Sequence, residues 1–140
     1  MIPVLFFKIP FPFSFTSFTD EYYIQSDNYL VSIIISNLLS NAIKYSNSNG
    51  EIRIELSQNE HHITFSISDN GIGIAPDDMN KIFNSFYRSD VINHAQIKGT
   101  GLGLSIVKRL CDLLKLEITV DSKLNEGTTF RLSFSLAKLK

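Results

Sequence analysis

The sequence predicts a two-layer α/β sandwich of the α+β type, in which a mixed, mostly antiparallel sheet carries helices on one face. Apolar and polar residues alternate in residues 51–57, 63–68 and 130–136, so each of these strands has one apolar and one polar face. A sheet buried on both faces would show continuously apolar strands instead. Two segments with apolar residues at helical spacing supply the covering layer.

The elements follow from these patterns in chain order. Residues 27–46 have apolar side chains at helical spacing and end in a Ser/Asn/Gly cluster, which predicts a helix followed by a turn. Residues 51–57 and 63–68 flank a polar turn, which is typical of an antiparallel hairpin. Residues 77–86 and 102–114 are predicted to be helices. Strands are then predicted around Ile118 and Val120 and over 130–136, with a turn at 125–127.

Length and composition limit the possible functions. At 140 residues the chain suits one compact domain. We leave residues 1–20 unassigned, although 4–9 and 22–25 could each supply an edge strand, and assign 21–140 to the domain. A net charge of −1 gives no electrostatic case for nucleic acid or an anionic membrane as the main partner.

The single cysteine and the first residues indicate the compartment. One cysteine excludes a disulfide or a cysteine zinc site within the chain, so we expect a reducing, cytoplasmic compartment. Residues 1–18 are apolar, but they lack a preceding basic run and are broken by Pro3, Pro10 and Pro12. We therefore expect neither a signal peptide nor a membrane span here.

Polar residues interrupt the first helix. On a wheel of about 100° per residue, Asn37, Asn41 and Lys44 fall on the same side as Leu30, Ile33 and Ile34. An unpaired buried amide costs roughly 1 to 3 kcal/mol, so a polar partner is expected. These groups could cap neighbouring backbone or lie at the rim of the sheet. Together they could also supply amide oxygen to a hard cation and positive charge to phosphate, as a magnesium-bound nucleotide requires.

Two glycine clusters indicate a ligand with a flat ring and phosphates. Asp69, at a strand end, can accept a hydrogen bond from the exocyclic amine of adenine, whereas guanine offers a carbonyl there. Gly71 and Gly73 would let backbone approach the ring closely, although an ordinary turn remains an alternative. Residues 98–104 (KGTGLGL) precede a helix and can present N–H groups to phosphate, or act as a hinge. Neither cluster has P-loop or Rossmann spacing.

Four motifs together resemble the catalytic domain of sensor histidine kinases. Residues 37–46 (NLLSNAIKYS) look like their N box, 69–74 (DNGIGI) their first glycine box, 82–88 (IFNSFYR) their F box and 99–104 (GTGLGL) their second glycine box. The motifs occur in family order across about residues 27 to 136. The resemblance implies the Bergerat ATP-binding fold, with ATP and Mg²⁺ as ligands, and transfer of the γ-phosphoryl group to a histidine in two-component signal transduction.

The resemblance also implies roles for individual residues. Asn41 would bind magnesium with Asn37 beside it near the phosphates, Lys44 would contact phosphate, Tyr45 would pack near the sugar or base, and Asp69 would bind the adenine amine. The remaining residues implied in the pocket and its lid are Gly71, Gly73, Ile74, Lys98, Gly99, Thr100, Gly101, Leu102, Gly103 and Leu104.

Three further expectations come from the same resemblance. Arg88 is the candidate for stabilising charge on the transferring γ-phosphoryl group, and residues 89–98 would form a lid. Thr128 has the parity of Phe130 and Leu132, so it should point toward the helices. The family pattern has a threonine there that supports the adenine-binding aspartate.

The chain departs from the family in its phosphoacceptor. His61 and His62 lie at the predicted hairpin turn and His94 in the predicted lid, so none is expected to be the acceptor. The expected partners are therefore a separate histidine-bearing dimerisation domain and, indirectly, a response regulator. The alternatives are an anti-sigma-type serine kinase and a nucleotide-binding module without phosphotransfer.

Overall fold

The computed structural model of the protein describes residues 2–3, 13–17, 23–47, 50–85, 87 and 103–136. Within these residues the strands are β1 (Ile2–Pro3), β2 (Phe13–Ser17), β3 (Tyr23–Ile24), β4 (Ile52–Gln58), β5 (His62–Asp69), β6 (Glu117–Lys123) and β7 (Gly127–Ser135). The helices are α1 (Asn28–Tyr45), a 3₁₀ helix (Pro76–Asp78) and α2 (Gly103–Leu114). None of these helices has the length and apolar character needed to cross a membrane.

The main sheet has the strand order β2-β4-β5-β7-β6. All neighbours are antiparallel except β2 and β4, which run parallel. The inward residues of β4, β5 and β7 pack with α1 and α2 in one apolar core, whereas Arg53 and Ser133 lie on the other face. The predicted mixed, mostly antiparallel sheet with helices on one face is confirmed.

The first helix has the predicted bounds to within one residue at each end, and its buried face agrees with the prediction only in part, at Ile34 and Leu38. Asp27 caps the N-terminus by accepting a hydrogen bond from the Leu30 N–H at 2.9 Å. The buried residues are Val31, Ile34, Leu38 and Ala42. This stripe is rotated by about 100°, one residue on the wheel, from the side that carries Asn37, Asn41 and Lys44. The polar row is therefore a flank of α1 rather than its core-facing side, and Lys44 is exposed.

The predicted helix over 77–86 is wrong for the described part of this segment. Only Pro76–Asp78 is helical, as a 3₁₀ turn, and turns follow it. The backbone N–H groups of Lys81 and Asn84 bond to carbonyls three residues back, each at 2.9 Å, instead of four. Asp and Asn are frequent in this segment, and their side chains compete with helical backbone bonds, which favours such turns.

The N-terminal segment contributes one strand at an expected position but outside the main sheet, and another strand at an unexpected position. Tyr23–Ile24 pairs with Ile2–Pro3 in a separate two-stranded sheet, so it is not an edge of the main sheet. That edge is β2, which comes from the segment left unassigned and follows the register of β4 from Ile52 to Leu56. Residues 4–9, the other candidate strand, lie outside the described residues.

Shortening the side chain of Leu38, a buried residue of α1, should destabilise the domain. Leu38 is 0% exposed, so we expect Leu38→Ala to lower the free energy of unfolding by about 2 to 5 kcal/mol, because it removes buried methyl groups and leaves a cavity. Ile43→Ala on the same helix is the matched control, since Ile43 is 57% exposed, and should change it by less than about 0.5 kcal/mol. Urea unfolding followed by circular dichroism measures both. Equal losses in the two variants would contradict the assigned core.

Candidate functional site

A cleft of about 630 Å³ opens where β5 ends, between the sheet, α1 and α2. Most of its lining is apolar, and the described lining residues are Asn41, Tyr45, Asp69, Ile72, Gly73, Ile74, Asp78, Ile82, Tyr87, Leu104, Thr128 and Phe130. A few polar groups in an apolar wall suit a flat ligand held in one orientation.

Asp69 is the polar group at the inner end of this cleft. It continues the core-facing side of β5 after Ile63, Phe65 and Ile67, so its carboxylate lies at the edge of the core. Burial raises the pKa of Asp69 above its ordinary value, while the backbone N–H groups of Gly71 and Thr128 partly oppose this by favouring the charged form. The Gly71 bond measures 2.9 Å. Asp69 is thus a partly desolvated hydrogen-bond acceptor facing the cleft.

The glycines after Asp69 are required by the backbone of the protein itself. A β-carbon on Gly71 would lie 1.9 Å from the carbonyl oxygen of Tyr45, and one on Gly73 would lie 2.1 Å from that of Lys123. Gly73 also has a φ of 69°, which disfavours side chains. From the sequence, the backbone at these glycines is expected to approach the ring of the ligand closely. The structure places these close approaches at the end of α1 and at β6, so that both elements hold the loop that lines the cleft.

The two polar residues at the start of the N box have different environments. Asn41 lines the cleft together with Tyr45. The Nδ2 of Asn37 donates to the carbonyl of Ile33 at 2.8 Å, and its Oδ1 would lie 3.0 Å from a β-carbon on Gly103. The backbone-capping alternative therefore describes the Asn37 amide, which lies beside the start of α2.

The structure brings together more than half of the described residues named from the sequence. Those in the lining are Asn41, Tyr45, Asp69, Gly73, Ile74, Leu104 and Thr128. Those described but not in the lining are Asn37, Lys44, Gly71 and Gly103. Arg88, Lys98, Gly99, Thr100, Gly101, Leu102 and the lid over 89–98, including His94, lie outside the described residues.

Thr128 lies on the helix-facing side of β7 and lines the cleft, and its side chain has an unexpected partner. It lies opposite Asp69 in the pairing of β5 and β7. Its hydroxyl is 2.8 Å from the Oγ of Ser122 on β6, whereas its backbone N–H serves Asp69. The support that Thr128 gives Asp69 in this structure therefore comes from its main chain.

Sequence reasoning missed several residues of the site. Ile72, Ile82 and Phe130 add apolar surface, and the hydroxyl of Tyr87 donates to the carboxylate of Asp78 at the same cleft. Ile82 and Tyr87 are part of the F box, so membership of that motif was a usable signal. Ser122 lies outside all four motifs. Its only signal is its parity with Ile118 and Val120, which places it on the inner side of β6.

Comparison with known proteins identifies the family. Residues 26–138 match the model for the "Histidine kinase-, DNA gyrase B-, and HSP90-like ATPase" family. The chain belongs to this family.

Named relatives and solved structures to which the chain is similar include a sensor protein and a sensor histidine kinase. The chain is 38% identical over 113 residues to the sensor protein CiaH of Streptococcus pneumoniae, which covers 81% of this chain and 26% of CiaH. The mycobacterial sensor histidine kinase MprB superposes with a TM-score of 0.76 at 26% identity, covering 88% of this chain and 83% of that one. Full-length ShkA in complex with AMPPNP superposes at 0.75 with 28% identity, covering 91% of this chain and 26% of that one. The chain thus spans about a quarter of the curated relative CiaH.

The buried charge of Asp69 should make the protein less stable as pH rises. The folded-state pKa of Asp69 lies above its ordinary value, so the folded protein binds this proton more tightly than the unfolded chain does, and stability falls as pH rises through the folded pKa. We expect Asp69→Asn to be more stable than the parent near pH 7 and to lose this advantage near about pH 4. Urea unfolding at the two pH values measures the difference in the free energy of unfolding between the variant and the parent.

The exposed Asp77 provides the control for this comparison. Asp77→Asn removes a carboxylate from the surface and should show no such gain near neutral pH. A neutral-pH stability of Asp69→Asn below that of the parent would show that the hydrogen bonds to the carboxylate outweigh its desolvation.

Proposed function

We propose that this domain binds Mg-ATP and transfers the γ-phosphoryl group to a histidine on a separate domain, as one step of two-component signal transduction. The observation that carries the proposal is a partly desolvated carboxylate, Asp69, at the inner end of a mostly apolar cleft, with Asn41 on the same cleft. This arrangement suits a purine at the inner end and phosphates toward α1.

The inner end of the cleft favours adenine. Asp69 accepts hydrogen bonds, and the amine of adenine donates two, whereas the carbonyl of guanine donates none. Ile72, Ile74 and Phe130 provide apolar surface for the ring. In support, ShkA, whose structure is similar, was solved in complex with AMPPNP.

Residues on one flank of α1 would serve the phosphates and the metal. Asn41 lines the cleft and offers an amide oxygen, a ligand that magnesium accepts, so the residues present fit a magnesium ion that also has phosphate oxygens as ligands. Bound Mg²⁺ would neutralise phosphate charge. Asn37 and Lys44 follow the same flank of α1, and Lys44 is free of the core to extend toward an anionic group.

Transfer requires positioning more than covalent chemistry by the domain itself. The bond between the γ-phosphorus and its bridging oxygen breaks, a bond to an imidazole nitrogen forms, and ADP leaves. In this proposal Arg88 stabilises the negative charge on the γ-phosphoryl group during its transfer. The acceptor histidine would lie on a dimerisation domain, and a response regulator would take the group next. A cytoplasmic location, where ATP is abundant, is part of the proposal.

Nucleotide binding tests the first half of the proposal. In isothermal titration with AMPPNP, we expect binding that strengthens with Mg²⁺ and that weakens at least about tenfold in Asp69→Asn, because an amide N–H₂ then faces the adenine amine. Asp77→Asn should bind as the parent does. Equal affinity of the parent for the adenine and guanine nucleotides would refute the role of Asp69.

Phosphotransfer tests the second half. With radiolabelled ATP and a histidine-bearing dimerisation domain supplied in trans, we expect Arg88→Ala to lower the transfer rate by about a hundredfold or more while nucleotide affinity changes little. Arg53→Ala, on the outer face of β4, is the control and should transfer normally. An Arg88→Ala variant with unchanged transfer would remove this residue from the mechanism.

A further inference from the structure

Three neighbouring strands place a row of polar side chains across the sheet at the cleft. Asp69 on β5 is opposite Thr128 on β7, and Thr128 is opposite Ser122 on β6. All three are on the core-facing side of their strands. Asp69 and Thr128 line the cleft, whereas Ser122 lies behind Thr128 and does not reach it.

The hydroxyl of Ser122 has three hydrogen-bond partners. It accepts from the backbone N–H of Ile74 at 2.8 Å and donates to the carbonyl of Gly127 at 2.9 Å. Its third partner is the hydroxyl of Thr128 at 2.8 Å. A serine hydroxyl has one proton and two lone pairs. Because the carbonyl of Gly127 can only accept, the single proton of Ser122 goes there, and Thr128 must be the donor to Ser122.

This assignment fixes what Thr128 presents to a ligand. Its only hydroxyl proton points toward Ser122, so this hydroxyl can offer a ligand lone pairs but no proton. Side chains of directly opposed residues on neighbouring strands have β-carbons about 4.5–5.5 Å apart, so one small group can meet both. Asp69 and Thr128 therefore form two adjacent acceptors on one wall.

We propose that Ser122 is a positioning residue for base selection, which keeps this wall an acceptor of hydrogen bonds and so favours a 6-amino purine over a 6-oxo purine. The inference rests on the proposed nucleotide binding. A primary amine offers two hydrogens to two adjacent acceptors, whereas a carbonyl oxygen meets lone pairs. Without Ser122, the Thr128 hydroxyl is free to turn and donate into the cleft, which would accommodate the carbonyl.

Removal of the Ser122 hydroxyl should reduce the preference for a 6-amino over a 6-oxo purine nucleotide, whether or not it also changes the stability of the fold. Isothermal titration with Mg²⁺ compares AMPPNP with its inosine counterpart, which has a 6-oxo group in place of the 6-amine and a protonated N1. We expect the ratio of the affinity for AMPPNP to that for the inosine analogue to fall by about fivefold or more in Ser122→Ala. The reason is that the Thr128 hydroxyl can then donate a hydrogen bond to the 6-oxo group instead of only accepting one. Ser122→Thr, which keeps the hydroxyl, should retain most of the ratio.

A hydroxyl pair on the opposite face provides a matched control. Ser68 and Thr129 share a hydrogen bond of 2.8 Å between β5 and β7. Ser68→Ala removes the same kind of contact one residue from Asp69 and should leave the ratio unchanged. An equal fall in Ser68→Ala would show a general loss of structure and overturn the assignment to Ser122.

The outcomes separate this inference from the proposed function. If the parent protein binds neither nucleotide, the proposed function fails first. If the parent prefers the 6-amino nucleotide and folded Ser122→Ala keeps the full ratio, nucleotide binding stands and the role of Ser122 is refuted. Should Ser122→Ala not fold, Ser122→Val replaces it, because valine matches the shape of the threonine variant but has no hydroxyl. An unchanged ratio in that variant refutes the inference equally.

Discussion

Asp69 occupies the last core-facing position of β5, where the apolar side of the sheet ends and the cleft begins. Its carboxylate has lost part of its water before any ligand is present, and two backbone N–H groups compensate only in part, so the pKa stays raised. The rest of the site is arranged around this group. β7 supplies one of its N–H donors, the following loop supplies the other, and the loop itself is held by glycine contacts that allow no β-carbon.

The loop after Asp69 connects the cleft to three separate parts of the fold. The N–H of Ile72 bonds to the carbonyl of Tyr45 at the end of α1, the carbonyl of Ile72 accepts from Asn125 in the β6–β7 turn, and the N–H of Ile74 bonds to Ser122. Each bond ties the loop to an element anchored in the core. This explains why the lining at Gly73 and Ile74 can be shaped without a helix or strand of its own, and why the glycines serve the fold as well as the site.

The sequence predicted those features that depend on local periodicity, and it failed where the outcome depended on packing between elements. Alternation in β4, β5 and β7 was sufficient because one face of each strand is buried. The predicted apolar face of α1 was right only in part, because the many apolar side chains of this helix admit more than one stripe. Contact with the sheet buries Ile34 and Leu38 more deeply than Leu30.

Two further gaps in the sequence-based prediction have similar causes. The residues after Pro76 have in part the composition of a helix, but their backbone hydrogen bonds join residues three apart instead of four. The spacing of apolar residues does not distinguish these two hydrogen-bond patterns. Ser122 lies in no motif, and the role proposed for it depends on the register that sets it opposite Thr128. By contrast Asp69, Asn41 and Thr128 could be named in advance, since a family motif or strand parity fixed each one.

The raised pKa of Asp69 also links ligand binding to the stability of the domain. A ligand amine that donates to the carboxylate favours the charged form, which is the form that burial disfavours. Binding of such a ligand therefore relieves part of the desolvation that the free domain carries, and the folded state gains stability as the ligand concentration exceeds its dissociation constant. A ligand that presents a carbonyl at the same point leaves the carboxylate without a donor and adds repulsion. In the proposed binding mode, selectivity for an amine and stabilisation by it would have the same physical origin, the incomplete solvation of one carboxylate at the end of a buried strand.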